Sequence, residues 1–434
     1  MSGDFASDYV ETPYWWDRSP PASPSGTELP QNADVVVVGS GYTGLHAAIA
    51  CARAGLSTVV LERDALGAGC STRNGGQIST SIKPSFAALA ARHGGELAQR
   101  LYASGRDSRT HVADFIAREA IDCDHRSDGR FVAAHSIRAY RRLEASLRVV
   151  NPVHDDGDYL VPPERQGEQI GSERYVGGLV NPLHAALDPG RYHAGCVAVA
   201  RAAGVTLVDF RRATRLQDVG NGTRVHTLRG CIDTRRVIIA TNGYTDALVP
   251  TLRRRIIPIG SYVIATEAIA PDLLDALLPT QRMLCDTRRV VYYYRRSPDN
   301  TRIVFGGRVS LAETDYRRSG KRLLDELRRL FPALHDVRIT HSWSGSVAYT
   351  FDALAHRGEH GGVHYAMGYC GSGVGMAGFS GAAVGQAVVN ALLGSAVPVA
   401  PTNLPFPTRP LYNGKPWFLA PSIAGYRLLD RLGV

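Results

Sequence analysis

Three stretches of this chain carry residue types able to hold a phosphorylated cofactor. The first is Gly39-Ser40-Gly41-Tyr42-Thr43-Gly44, with Glu62 about 18 positions beyond its last glycine. In a G-x-G-x-x-G run of this kind, Gly39 permits the tight turn and Gly41 lets the backbone approach a pyrophosphate at a helix N-terminus. Gly44 lets helix and strand pack closely. The Glu62 carboxylate can accept hydrogen bonds from ribose hydroxyls, and its charge disfavours a 2′-phosphate. The second stretch, Gly368-Tyr369-Cys370-Gly371-Ser372-Gly373-Val374-Gly375, is another strand-to-helix turn. Its helix N-terminus is a further site for negative charge, of the kind a reduced flavin ring develops. In the third, Cys70-Ser71-Thr72-Arg73-Asn74-Gly75-Gly76-Gln77, adjacent glycines among small polar residues suit a loop lying flat against a polar planar cofactor.

The elements needed to position these residues are legible around them. Residues 34–38 are a continuous β-branched run, as in a strand buried on both faces of a parallel sheet. Leu45, Ala48, Ile49 and Ala52 then recur at helical spacing until Gly55, and 58–61 form the second strand of a βαβ unit. Further strands are predicted at 130–134, 204–208, 225–228, 236–240 and 363–366, and helices within 96–150 and at 191–203, 317–330 and 374–393. Residues 259–309 alternate as an antiparallel sheet, with a turn at Ser297-Pro298-Asp299-Asn300. Residues 1–32 read as an extended arm and linker, and 426–432 as an amphipathic stretch docked on the body.

Composition narrows the function classes. The 434 residues carry 49 Lys and Arg against 40 Asp and Glu, a net charge of +9. Only Lys83, Lys321 and Lys415 are lysines, and the arginines are scattered, with Arg253-Arg254-Arg255 the one dense knot. That distribution lacks the patch and motif of a nucleic-acid binder, so no nucleic-acid partner is expected. No apolar run approaching 18 residues is read in the chain, so no membrane span is expected. Residues 1–11 lack the features of a secretory signal, and the seven cysteines form no C-x-x-C pair, so reduced thiols and a cytoplasmic setting are expected. Metal-protease, nucleophile-elbow and P-loop motifs are missing.

Taken together with Tyr14-Trp15-Trp16, Leu187-Asp188-Pro189-Gly190-Arg191, Ile238-Ile239-Ala240-Thr241-Asn242-Gly243-Tyr244 and Phe305-Gly306-Gly307-Arg308, the three stretches give the chain a family likeness. It resembles the FAD-dependent amine-oxidising superfamily that includes glycine oxidase, D-amino acid oxidase and sarcosine oxidase, and most of all its γ-glutamylputrescine oxidoreductase branch. The likeness spans about residues 10–395. It implies an α/β fold in which a two-dinucleotide-binding (Rossmann-like) FAD domain, 33–95, 176–258 and 340–400, is interleaved with an antiparallel-sheet substrate domain, 96–175 and 259–339. An arm (1–32) and a tail (401–434) flank them.

The resemblance also implies a set of FAD contacts. They are Gly39, Gly41, Tyr42, Thr43, Gly44, Glu62, Arg63, Ser71, Thr72, Arg73, Asn74, Gly75, Gly76 and Gln77, Ala213 beside the adenine, and Thr241, Asn242 and Gly243. The turn Gly371, Ser372, Gly373, Val374 and Gly375 lies next to the flavin, and Met376 stands either with it or in the core. Sarcosine oxidase relatives attach flavin to a cysteine just before a Tyr-Thr pair. Here that stretch is Ser346-Val347-Ala348-Tyr349-Thr350, so non-covalent FAD is expected. Those relatives also use a lysine near the Gly306-Gly307 strand for oxygen activation, and residues 302–305 contain none.

The activity this implies is oxidation of a primary or secondary amine to an imine, hydrolysed to an aldehyde, with the flavin reoxidised by O2 or another acceptor. The cofactor supplies the hydride chemistry and the protein supplies position and electrostatics. Three catalytic candidates stand out. Tyr292 and Tyr294, on one strand face, are either aromatic walls for an alkylamine or core residues. Lys83 is either a positive charge beside the flavin or a solvated loop residue. The alternative activity is an N-demethylating amino-acid oxidase or dehydrogenase of the sarcosine or dimethylglycine type, with Arg308 or Arg295 clamping the substrate carboxylate. A tRNA-modifying flavoprotein and a non-catalytic FAD binder remain as further alternatives. The substrate is a small-molecule amine, no membrane partner is expected, and no metal is called for.

Overall fold

The computed structural model describes residues 3–79, 82–148, 156–307, 315–397 and 404–432. Five parallel strands lie side by side in the order Thr206–Val208, Thr58–Leu61, Asn32–Val38, Cys231–Ile239 and Val363–Met367. Antiparallel strands extend this sheet: Thr223–Thr227 and Ala213–Asp218 beside Cys231–Ile239, and His356–His360 beside Val363–Met367. The unbroken valine run has a plain cause. Val35 and Val37 enter the core under the helices, while Val36 and Val38 enter a second core on the opposite face. Both faces are buried, so both must be apolar.

Two helices run together over one face, Tyr42–Arg53 and Gly373–Leu393. Their approach is close because the second is rich in glycine. A Cβ on Gly381 would fall 2.2 Å from the Thr43 carbonyl oxygen, and one on Gly385 2.6 Å from that of Ala47. Gly373–Leu393 is, by length and composition, apolar enough to cross a membrane, contrary to the expectation that no such run exists. Small residues carry that hydropathy, and in this fold they serve helix-on-helix packing. Helix Gly95–Arg118 sends Val112, Phe115 and Ile116 into the same core. It therefore packs on the nucleotide-binding side, although the sequence reading began the substrate domain at 96.

Among the described residues the second sheet has nine strands, in the order Phe5–Val10, Ile339–Thr350, Ile256–Thr266, Ile303–Gly307, Tyr292–Arg296, Met283–Asp286, Arg130–Ala133, Gly178–Asn181 and Tyr159–Val161. Two of its pairings, Phe5–Val10 with Ile339–Thr350 and Met283–Asp286 with Arg130–Ala133, are parallel, so the sheet is mixed. Three segments assigned elsewhere from sequence belong here: the arm strand Phe5–Val10, Gly178–Asn181 and Ile339–Thr350. Ile256–Thr266 and Ile339–Thr350 run paired through register from Ile256 opposite Thr350 to Thr266 opposite Ile339, a pairing between distant segments that no local pattern shows. Helix Tyr316–Leu330 closes one face of this sheet with Leu323, Leu324, Leu327 and Leu330, an apolar stripe at helical spacing. Helix Leu419–Arg431 docks on the body, its Asp430 carboxylate accepting the N–H groups of Arg289 (2.8 Å) and Val290 (3.1 Å).

Candidate active site

A cleft opens at the C-terminal ends of the parallel strands and encloses about 1410 Å³ of empty space, its open mouth included. Sequence elements far apart converge on it. Of the expected cofactor residues, Gly39, Gly41, Tyr42, Thr43, Glu62, Arg63, Ser71, Asn74, Ala213, Thr241, Asn242, Gly371, Gly373 and Val374 line it. Gly39 sits at φ +108°, a conformation that favours glycine, and a Cβ there would lie 3.0 Å from the Ala240 carbonyl oxygen. A Cβ on Gly41 would crowd the Ser71 hydroxyl at 2.9 Å. That hydroxyl accepts the Tyr42 N–H at the start of the first helix (3.0 Å). Glu62 accepts the Ser40 hydroxyl (2.8 Å) and N–H (3.0 Å), which fixes the carboxylate at the cleft edge.

The remaining expected residues shape the cleft from behind. Gly44 is the contact point of helix and strand, where a Cβ would come within 1.8 Å of the Gly39 carbonyl oxygen. Gly76, at φ +67°, leaves no room for a side chain against Leu187 and Arg295. Gln77 reaches across to the carbonyls of Leu284 and Tyr294 in the second sheet, both at 3.4 Å. Gly243 packs on Ser346, Gly375 on Ser108, and Ser372 and Met376 are buried at the start of the last long helix, so Met376 takes the core alternative. Thr72, Arg73 and Gly75 lie in the loop between the cleft and the second sheet. Asn242 Oδ1 accepts the Gly368 N–H (2.9 Å) and so ties the turn after strand Cys231–Ile239 to the second glycine-rich turn. Thr43 and Tyr369 make a second tie through their hydroxyls (2.7 Å).

The catalytic candidates divide. Lys83 Nζ lies 4.0 Å from where a Cβ on Gly371 would stand, with the Tyr349 hydroxyl 3.6 Å from the same point. Its side chain is exposed in surface area yet crowded by protein. The crowding decides its acidity: desolvation, then the neighbouring Arg130 charge, lowers its pKa. Tyr292 and Tyr294 are not at the cleft. Tyr294 is wholly buried under helix Tyr316–Leu330, against Phe305 and Phe331, with its hydroxyl on Tyr175 (3.3 Å). Tyr292 stacks on Phe305 from the same side.

The alternation that put those two on one face puts Tyr293 on the other. Tyr293 lies over Gly306 and against Gly75, and its hydroxyl meets that of Ser261 (2.9 Å). Burial pushes the Tyr293 and Tyr349 hydroxyls up to about 12, so both are neutral hydrogen-bonding groups. Sequence reasoning missed both, along with Tyr244, Arg211 and Ser40 of the cleft. For Tyr293 the period-2 signal was present, and only the choice of face was open.

Of the two arginines considered for a carboxylate clamp, Arg308 lies outside the described residues. Arg295 is buried and its guanidinium is spent on backbone, donating to Leu187 (2.9 Å), Arg296 (3.1 Å) and Gly76 (3.4 Å) carbonyls. It buttresses the loop and does not line the cleft. Val347 and Ala348 line the cleft where a flavin-linking cysteine was sought. The Cys70 thiol at the same cleft is pushed up to about 11 by burial, and that of Cys370 is also raised, so both are protonated.

A cleft with a glycine-rich βαβ turn at one end and a glycine-rich helix start at the other is that of a dinucleotide-binding flavoprotein. The chain matches the FAD dependent oxidoreductase family over residues 34–387 and belongs to it. It is 30% identical to the γ-glutamylputrescine oxidoreductase of Escherichia coli K12 over 407 residues, 92% of this chain and 93% of that protein. Its fold is similar to glycine oxidase from Geobacillus kaustophilus (TM-score 0.70, 18% identity, 88% of this chain and 99% of that one). It is also similar to L-proline dehydrogenase from P. horikoshii (TM-score 0.68, 18% identity, 86% and 96%).

Proposed function

We propose that the protein oxidises a primary or secondary amine to an imine, which water hydrolyses to an aldehyde. The observation that carries this reading is the convergence on one cleft of the first helix start, the 71–76 loop and the Gly371 turn, with Lys83, Tyr293 and Tyr349 gathered at the turn and loop end. The residues fit FAD: Gly39, Gly41, Gly371 and Gly373 line the cleft without side chains, and the first helix begins at its wall. Bound there, FAD supplies a hydride acceptor for the carbon that bears the nitrogen.

The chain's own groups hold, orient and discriminate. Lys83 and Arg130 bring positive charge near the turn, which disfavours an ammonium and favours the neutral amine able to donate. The neutral Tyr293 and Tyr349 hydroxyls offer hydrogen bonds without competing for the amine's proton. Seven unpaired cysteines agree with a reducing, cytoplasmic compartment.

One observation favours a second reading, in which the amine also carries a carboxylate. Arg109 has a buried Nε with no hydrogen-bond partner among the described residues, and its charge and that of Arg130 act together on His184, whose pKa burial and both arginines push down to about 2. Such a concentration of positive charge suits an amino acid. Anaerobic titration of the yellow protein with matched amines and amino acids, following the flavin band, separates the two readings. Bleaching by amines supports the first and bleaching confined to amino acids the second. A flavin that no amine or amino acid bleaches overturns both.

A further inference from the structure

Three indole N–H groups converge on three consecutive residues of the cofactor-side loop. Trp16 donates to the Thr72 hydroxyl (2.9 Å), Trp343 to the Arg73 carbonyl (2.9 Å) and Trp15 to the Asn74 carbonyl (2.8 Å). We propose that these tryptophans are positioning residues, and that through them the N-terminal arm sets how tightly the protein holds FAD and at what potential.

The indoles are themselves fixed. Trp15 and Trp343 are wholly buried, in one cluster with Tyr14, Val263, Ala265 and Val304 of the second sheet. Trp16 lies under the Arg73 guanidinium, 4.6 Å from ring centre to charge. A buried indole N–H needs an acceptor, and each of these has one loop group within reach.

What the bonds fix is the direction of peptide planes. A trans peptide places its C=O and N–H on opposite sides. With the Arg73 and Asn74 carbonyls held toward Trp343 and Trp15, the N–H groups of Asn74 and Gly75 point away from those indoles. Among the described residues neither N–H has a protein acceptor, and Asn74 lines the cleft. The Asn74 side chain completes the shape by donating to Ser71 (2.8 Å) and accepting the Gly76 N–H (2.8 Å). The loop thus presents donors that suit a polar ring edge bearing negative charge, held in part by residues that do not line the cleft. The loop's own bonds shape its turn, while two of the three indole anchors come from the arm and one from strand Ile339–Thr350.

Trp15→Phe and Trp343→Phe remove the indole donor and leave a smaller aromatic ring in a buried cluster, and Trp16→Phe removes the donor at a partly exposed site where the lost volume matters less. FAD dissociation constants, flavin midpoint potentials and visible circular dichroism of the bound flavin are measured on each holoenzyme. Tyr9→Phe serves as the control. It removes another bond of the same arm, to the Ser342 hydroxyl (2.6 Å), away from the loop. The expected result is an FAD dissociation constant raised at least tenfold in Trp15→Phe, an altered flavin dichroism band and a shifted potential, with Tyr9→Phe like wild type. The proposal is overturned if the folded Trp→Phe variants bind FAD with unchanged affinity and potential, or if Tyr9→Phe shifts them equally. Should Trp15→Phe not fold, Trp16→Phe decides alone by the same criteria. Failure of wild-type protein to bind FAD is a different outcome, and would count against the cofactor site itself.

Discussion

Single side chains decide whether the cleft can be filled. Gly41→Val places carbon where the Ser71 hydroxyl and the pyrophosphate must fit, and the purified variant should be colourless; retained stoichiometric flavin absorbance would contradict this. Lys83 tests the reactivity toward oxygen. Electron transfer to dioxygen creates an anion, which a nearby cation stabilises. Lys83→Met should slow reoxidation tenfold or more, about 1.4 kcal/mol per decade, and leave reduction by amine much less changed in stopped flow. Crowding lowers the Lys83 pKa, so its charge is lost on raising pH earlier than an ordinary lysine would lose it. Wild-type reoxidation should therefore fall off at alkaline pH, and the Met variant should show no such fall. The glycines and Glu62 were legible in the sequence because each has a backbone or charge requirement of its own. Arg295 was not: a buried guanidinium bonded to carbonyls has the same letter as one that binds substrate.

Elements carry the next layer of information. The face of strand Tyr292–Arg296 turned toward the cofactor could not be read from alternation alone, since aromatic residues stand on both faces. Three-dimensional context settles it, through Phe305 and Phe331 on one side and Gly75 and Gly306 on the other. Tyr294→Phe should cost about 1 kcal/mol of stability through its bond to Tyr175 and leave flavin reduction unchanged. Tyr293→Phe should alter the rate of flavin reduction with little effect on stability. Opposite results would return Tyr294 to the site. Gly44→Ala should destabilise the protein by at least about 1–3 kcal/mol in denaturant unfolding, because its Cβ falls within 1.8 Å of the Gly39 oxygen and helix and strand must separate. The βαβ unit and the last long helix were legible because their patterns are local. The edges of the interleaved domains were not, because pairing between strands from distant segments decides them.

At the scale of the whole molecule, both sheets draw strands from separate stretches of chain, and the site lies where they meet. Acid or heat should release FAD into the supernatant, since Val347 and Ala348 offer no thiol to bond it; flavin remaining with the precipitate would show a covalent link through another residue. The segments that complete the loop's setting are made far apart in time. Strand Phe5–Val10 leaves the ribosome early, yet its parallel partner Ile339–Thr350 is synthesised more than 300 residues later, and Trp343 comes with it. The arm strand must therefore wait, without this partner, until residues 339–350 are made. A nascent chain can assemble the Asn32–Val38 and Thr58–Leu61 strands while still tethered, but it cannot finish the flavin loop. Cofactor loading then has to wait for residues 339–350, and a stalled chain ending at residue 335 should retain no flavin where the released chain does.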